Sequence, residues 1–518
     1  MRPSMVIVLA SLLIACDGDG GGDRDGSAGR DGGTGRRDGG SGVDGGRLDI
    51  DAGPPPTVRC DPPPLADVAS PDAVVGDGTA ASCTEAELRS AAAAGGTIVF
   101  DCGPDPLTIV VTSQIVFTEE SVVDGGGLVT LSGGNTTRIL YLDSGYDTPT
   151  PRLTVQRLRF IDGASQPGGE DTAVGGGAIY RDGGSLTVLD CTFEHNRAPS
   201  PGQDIAGGAI YGFGGGDTII SGSIFLDNQA SDGGAVGSLN GDLTIVNSTL
   251  TNNAATGTDG NPGNGGAGGA VYMDGRDEVT TLCGVTIANN TAGAIGGGFF
   301  RVSNDDSGSF VMDRSTVDAN RVTRTDEGNA GGLYLQGLAL TVTNSTISRN
   351  EAFYNGGIWI NTCTVEMTNV TIAENVAFGS NGGGVWLGHT PTGTMRNCTI
   401  ANNRSTADGQ VAGGIFGDGL TLVNTIVANN TAMYTPTCDS RRSDGSGNLQ
   451  FPDSALCTES PLVEDPMLDA LGDHGGDTET MAPSASSPAR GLGTGCPPTD
   501  QRGEPRGEPC TAGAVEAP

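Results

Sequence analysis

Nine times between Cys191 and Asn430 the chain repeats one short phrase: a small polar residue, an apolar residue, two variable residues, then Asn. CTFEHN (191–196), SIFLDN (223–228), VTIANN (285–290), STISRN (345–350) and TIVANN (425–430) are five of the copies. Successive closing Asn residues lie 25 to 37 positions apart. A Gly-Gly pair followed by apolar residues runs in step, at Gly176, Gly207, Gly268, Gly331, Gly356, Gly383 and Gly413. A period of this length means stacked units that cannot bury a core alone.

Each period holds three short runs in which apolar and polar residues alternate, such as 331–335, 338–343 and 345–348. Alternation over so few residues specifies strands, and no unit carries a helix-length pattern. Three strands per turn, stacked turn on turn, predict an all-β fold. It is a right-handed parallel β-helix of about 10–13 coils, with inward apolar ladders along its axis. The closing Asn residues are expected at corners, in left-handed backbone and bonded to one another from coil to coil. A second, partial Asn row is formed by Asn247, Asn344, Asn369, Asn397 and Asn424. The Gly pairs are expected to supply positive φ and close backbone approach at another corner.

Both ends of such a rod need covers, because open ends expose strand edges and core. Thr84-Glu85-Ala86-Glu87 matches a capping box, followed by LRSAAAA and Gly95-Gly96, so a short helix is expected over the first coil. The repeat is lost after Asn430, and the irregular segment 431–518 is expected over the other end. The division predicted is 1–15 signal peptide, 16–57 tether, 58–96 N-terminal cap, 97–430 β-helix and 431–518 C-terminal cap.

The signal peptide is read from Arg2 and the apolar run Met5–Ala15, too short to span a bilayer. Residues 17–56 are mostly Asp, Gly, Arg and Ser ending in Pro54-Pro55-Pro56, with too few apolar residues to pack a core. The formal net charge is −35, and all 27 basic residues are Arg. That balance excludes nucleic acid as a partner, since phosphate binding needs concentrated basic charge. Twelve cysteines in an exported chain point to disulfides. Local pairing is expected for Cys83 with Cys102, Cys438 with Cys457, and Cys496 with Cys510. Cys191, Cys283, Cys363 and Cys398 are expected as buried, unpaired core residues, and Cys60 has no assigned partner.

Leu13-Ile14-Ala15-Cys16 resembles a bacterial lipobox, which implies acylation of Cys16 and anchoring to a membrane through lipid. The GGAI phrases (176–179, 207–210) and FxxN phrases (193–196, 225–228) resemble the repeats of the polymorphic outer-membrane protein family. The C-terminal stretch is similar to the bacterial choice-of-anchor Q domain through DPMLDALGDHGGDTETMAPSASSPARGLG, CPPTDQRGEPR and CTAGAVE. These resemblances imply a bacterial outer-membrane or cell-surface lipoprotein with a role in adhesion, surface display or envelope structure.

Catalysis was sought in paired carboxylates, because glycoside hydrolysis needs two of them across the scissile bond. The outward positions carry mostly Thr, Ser and Asn. Asp190 and Asp313 share a repeat position several coils apart, and Glu366 shows no partner in register. His195, His389 and His474 lack metal-ligand spacing to any other His or Cys. No catalytic residue is assigned. Insertions between closing Asn and the next Gly-Gly recur at one corner, and insertions on one face often mark a binding face. They carry Asp204, Asp259, Asp326, Glu327 and Asp408, with Glu170 and Asp171 in an earlier loop. The expectation is a monomeric, non-catalytic surface protein with an acidic loop edge for a polysaccharide or a surface protein. Calcium is the one cofactor this edge would admit. The alternative is a polysaccharide lyase or glycoside hydrolase on the same scaffold.

Overall fold

The computed structural model describes residues 60–168, 171–406 and 412–518. Cys16 and the segment 16–57 lie outside the described residues, as do Glu170 and Asp408. One coil shows the plan of the whole. Leu333–Gln336, Leu338–Thr343 and Thr346–Ser348 form faces one, two and three. A two-residue strand, Glu351–Ala352, forms a fourth. Two residues are too few to show an alternation, so the apolar pattern does not mark that fourth strand.

Every face pairs in parallel with its equivalents one coil away, as Leu333 does with Phe299 and Ile358. Face one is an eleven-stranded sheet from Ile115–Phe117 to Ile415–Phe416. Faces two and three join into one sheet of 26 strands, because Ser121–Ser132 and Arg152–Ile161 run unbroken around their shared corner. Face four has seven strands. Constant register keeps the same side of every strand inward. Phe160, Phe193 and Phe225 therefore stack at 4.8 and 4.7 Å with their rings within 6° of parallel. That separation is the strand spacing itself, about 4.8 Å. Leu250, Ile287, Val317, Ile347, Ile372, Ile400 and Val427 continue the same interior row.

The closing Asn residues form the ladder expected of them, while the left-handed backbone falls on other residues. The nine closing Asn residues are buried and bonded in sequence, each Nδ2 donating to the next Oδ1 at 2.9–3.0 Å from Asn196 to Asn430. Each Oδ1 also accepts the backbone N–H of the preceding ladder Asn, as Asn320 does from Asn290 at 3.0 Å. Left-handed backbone belongs to the residue just before, such as His195, Asn252, Ala319 or Arg349, with φ between 53° and 57°. The second row carries the positive φ itself: 47° at Asn247, 49° at Asn344 and 50° at Asn397. The Gly pairs divide as well. Gly207 has φ 67°, whereas at Gly331 close approach decides, since a Cβ there would lie 2.5 Å from Gly356 O.

Thr84 starts the capping helix Glu85–Ala94 by accepting from Glu87 N, and Gly95 ends it at φ 73°. Leu88 and Ala92 of that helix are buried against the first coil. Two side segments differ from expectation. Cys60 is disulfide-bonded to Cys283, a residue expected to stay unpaired, across a sequence separation of 223. The chain from Cys60 then runs back along the flank, where Ala66 exchanges hydrogen bonds with the side chain of Gln156 at 2.8 and 3.2 Å. The C-terminal segment is not only an end cover. Leu449–Phe451 and Leu462–Val463 extend face three, and then the chain lies along the outside of that face. There Gln501 donates to Ser345 O and Thr346 Oγ1, and Asn424 donates to Thr494 O. Met481 packs on Ala373 and Ala401, and Ala489 and Ala512 pack on Ile426. Outward side chains of Thr346, Thr371 and Thr399 are buried as a result. Cys83–Cys102, Cys438–Cys457 and Cys496–Cys510 are bonded as expected, and Cys191, Cys363 and Cys398 are free and buried.

Candidate functional site

The long insertions leave the short strands of face four and return to face one, so they flank the outer surface of face one. Asp326 and Glu327 bracket one cation there, and Asp259 lines the same cleft. Arg324 Nε bonds Asp326 Oδ1 at 2.9 Å, its Nη2 contacts Glu327, and its Nη1 reaches Thr258 O at 3.5 Å. Asp259 is tied to Asn264 Nδ2 at 2.6 Å. The hydrogen bond from Arg324 holds the Asp326 carboxyl below its usual range. These side chains border an open cleft of about 740 Å³ floored by Ala255, Thr291, Ala292 and Thr323. Asp171 lies in a short turn, Asp171–Ala173. Among the described residues no three His, Cys, Asp or Glu side chains gather as a metal site.

Asp204 departs from the edge and turns inward. Its Oδ1 accepts from Tyr272 Oη at 2.8 Å, and Asn261 Nδ2 bonds both that hydroxyl and Asp274 Oδ2 at 2.7 and 2.6 Å. Asp232 is fully buried beneath; its Oδ1 accepts from Ala267 N at 2.8 Å, and its Oδ2 has no partner. Burial pushes the Asp232 carboxyl well above its ordinary value. Burial, with Asp204 and Asp274 nearby, does the same to the Tyr211 and Tyr272 hydroxyls. Loops 197–206 and 254–267 close over this group.

Face one carries a second feature that the repeat phrases contain but their reading as structural punctuation hides. The residue after the inward Ile, Val or Leu points outward, and it is aromatic in coil after coil: Tyr141, Tyr180, Tyr211, Tyr272, Phe300, Tyr334, Trp359, Trp386 and Phe416. Their registers are directly opposed except where Gly237 interrupts the row. Ring centroids are 5.3 Å apart for Tyr272–Phe300, 5.0 Å for Phe300–Tyr334 and 4.1 Å for Tyr334–Trp359. The insertions bury Tyr180, Tyr211 and Tyr272, while Tyr334, Trp386 and Phe416 stay partly exposed.

Outward carboxylates do pair across coils at two places the linear pattern does not reveal. Asp143 opposes Asp182 on face one, and Asp217 opposes Asp242 on face two. Burial and the Asp143 charge raise the Asp182 carboxyl, and Tyr141 Oη donates to Asp143 at 3.2 Å. Asp217 is ion-paired with Arg152 at 2.7 Å. The partners sit in coils 25 to 39 residues apart, and insertion lengths disguise the register. Glu366 opposes only Thr341 and Thr394. His195 lies 3.6 Å from Asp227 and 3.7 Å from Glu194.

A family model described as "Right handed beta helix region" matches residues 259–433, and the fold agrees with it. Among solved structures the chain is similar to the pectate lyase Pel9A, at 14% identity and TM-score 0.36, over 82% of this chain and 88% of that one. The periplasmic alginate epimerase AlgG follows at 13% and 0.30, over 69% and 76%. PfbA, a surface adhesin of Streptococcus pneumoniae, is similar at 11% and 0.30, over 72% and 92%. No curated protein matches the chain in sequence.

Proposed function

We propose that this is an exported β-helix, lipid-anchored through Cys16 at a bacterial outer membrane or cell surface, that binds a surface ligand without transforming it. The observation that carries this reading is the loop edge. Insertions two coils apart emerge at one corner and bring Asp326 and Glu327 against Arg324 beside an open cleft that Asp259 also lines. Residues clustered on loops and held by a rigid scaffold are the usual make-up of a binding face. The GGAI/FxxN and choice-of-anchor Q resemblances support the same placement. A glycan array run with and without calcium, with product analysis of each hit, tests it. Binding without product is the expected result, and cleavage of any glycan overturns it. Calcium-dependent binding would assign the ion to the acidic edge.

The second reading, a polysaccharide-active enzyme, is favoured by Asp143 and Asp182. They face each other in adjacent coils, one is raised by burial, and a tyrosine lies beside them. Two carboxylates facing one another across a cleft are what glycoside hydrolysis requires. Loss of any detected cleavage in Asp182→Asn, with binding kept, would assign the chemistry to that pair.

A further inference from the structure

We infer that the open half of the aromatic row on face one binds an uncharged polysaccharide chain laid along the rod. This goes beyond the loop-edge reading above by naming a second place on the rod and a ligand class for it, and it rests on that reading only for the protein being a binder.

The row's geometry is set by the fold. Each ring projects from the same register position of one face, so the rings repeat at coil spacing along a straight line. From Tyr334 the successive separations are 4.1, 5.9 and 6.3 Å to Trp359, Trp386 and Phe416. A ligand that matches a line of apolar plates must itself repeat an apolar face at similar intervals. The C–H faces of consecutive pyranoses in an extended glycan do this; a folded protein surface has no such period. Aromatic side chains also offer large contact area at little entropic cost. Tyr354 stands beside the row, 6.2 Å from Trp386, and forms one wall.

The polar groups available fit neutral hydroxyls. Gln336 and Asn361 lie two residues beyond Tyr334 and Trp359 on the same outward side, with Asn361 Nδ2 bonded to Gln336 Oε1 at 3.2 Å. None of Tyr334, Gln336, Tyr354, Trp359, Asn361 and Trp386 carries a charge. A uronate or sulfated chain would approach a molecule of net charge −35, and the arginine stacked on the row, Arg138 over Tyr180, lies on its buried half. Carbohydrate recognition by stacked rings and side-chain amides needs none.

Position along the rod selects the half that is accessible. Around Tyr211 and Tyr272 the long insertions bury the row, whereas the connections after Ala352 and Ala377 are short; Tyr334, Trp386 and Phe416 are partly exposed, with Trp359 buried between Tyr334 and Trp386.

The chain's two tryptophans, Trp359 and Trp386, occupy adjacent rungs of this half, so tryptophan emission reports on it alone. The full-length protein would be titrated with cello-, xylo-, laminari- and mannohexaose. A saturable emission change with at least one hexaose is expected. Trp386→Ala and Tyr334→Ala should each weaken binding tenfold or more. Trp386→Phe should restore most of it, which separates ligand contact from misfolding. Glu366→Gln, exposed on face two, is the control that should bind as the parent does, and the double variant Asp259→Asn/Asp326→Asn separates this site from the loop edge. No emission change with any of the four hexaoses overturns the inference. Binding that survives Trp386→Ala and Tyr334→Ala but fails in the Asp259/Asp326 variant also overturns it, while leaving the loop-edge reading intact. Capture of a protein or of a second copy through the row, unaffected by any hexaose, overturns it too.

Discussion

At Asn320 a single side chain closes four hydrogen bonds. Its Oδ1 accepts from Asn290 N and Nδ2, and its Nδ2 donates to Ile287 O and Asn350 Oδ1, all at 2.9–3.0 Å in a buried corner. Asn320→Ala leaves two neighbouring amides and two backbone groups unsatisfied, and we expect a loss of about 2–4 kcal/mol, read by chemical denaturation. Asp232 makes a pH-dependent counterpart. Its folded carboxyl is raised by burial, so the folded state holds a proton that the unfolded chain, with a carboxyl near its ordinary value of about 3.9, releases first. Its contribution to stability is complete below that value and is lost as pH rises through the raised folded one. Asp232→Asn should therefore melt increasingly higher, relative to the parent, from pH 4 towards neutrality. A constant difference would show that Asp232 does not titrate in the fold. Asp124 illustrates the opposite sign. Burial pushes it up, but bonds from Arg157, Gln156 and Gly126 hold it below its usual range. Three arginines are also buried at corners of face one. Arg181 donates through Nη1 and Nη2 to the carbonyls of Gly183, Gly184 and Gly214 to Gly216, and burial lowers it to about 10. Arg301 and Arg442 bond corner carbonyls in the same way.

Among elements, the two side segments decide how much of the rod is covered. The stretch from Cys60 to Asp72 is held at one end by Cys283 and at the other by Asp72, whose Oδ2 accepts from Thr97 N at 2.7 Å. Cys283→Ser should make residues 61–71 protease-sensitive under non-reducing conditions while the coils remain folded. A cross-link over so long a separation is worth up to roughly 5 kcal/mol, so the melting temperature should fall as well. The C-terminal flank hides apolar surface on face three, including Ile426 and Ala428. Truncation after residue 463 would uncover it, and we expect concentration-dependent association in sedimentation. A truncated chain that stays monomeric would mean that face three needs no cover.

Across the whole molecule the strands of each coil pair only with those of adjacent coils, so stability of the rod should be close to a sum of coil and interface terms. Leu340, buried on face two, packs in register between Phe310 and Val365. Leu340→Ala should cost about 2–5 kcal/mol. Hydrogen exchange should quicken in the coils around 310–365 and stay unchanged near the capping helix. Uniform acceleration would instead make the rod one cooperative unit.

Sequence alone determined the architecture of this protein, because the repeat period and the strand alternation are local properties that only one kind of stacking satisfies. The capping helix and three local disulfides were legible for the same reason, each being written within about twenty residues. Only the tertiary structure decided the rest. Unequal insertions conceal which residues share a rung, so the aromatic row, Asp143 opposite Asp182, and the Cys60–Cys283 bond emerge once register is set. It also parted Asp204 from Asp259 and Asp326, because a carboxylate's partners depend on the path its loop takes. Even the Asn roles moved by one residue: a corner needs one left-handed position and one inward amide, and a repeating Asn does not say which it supplies.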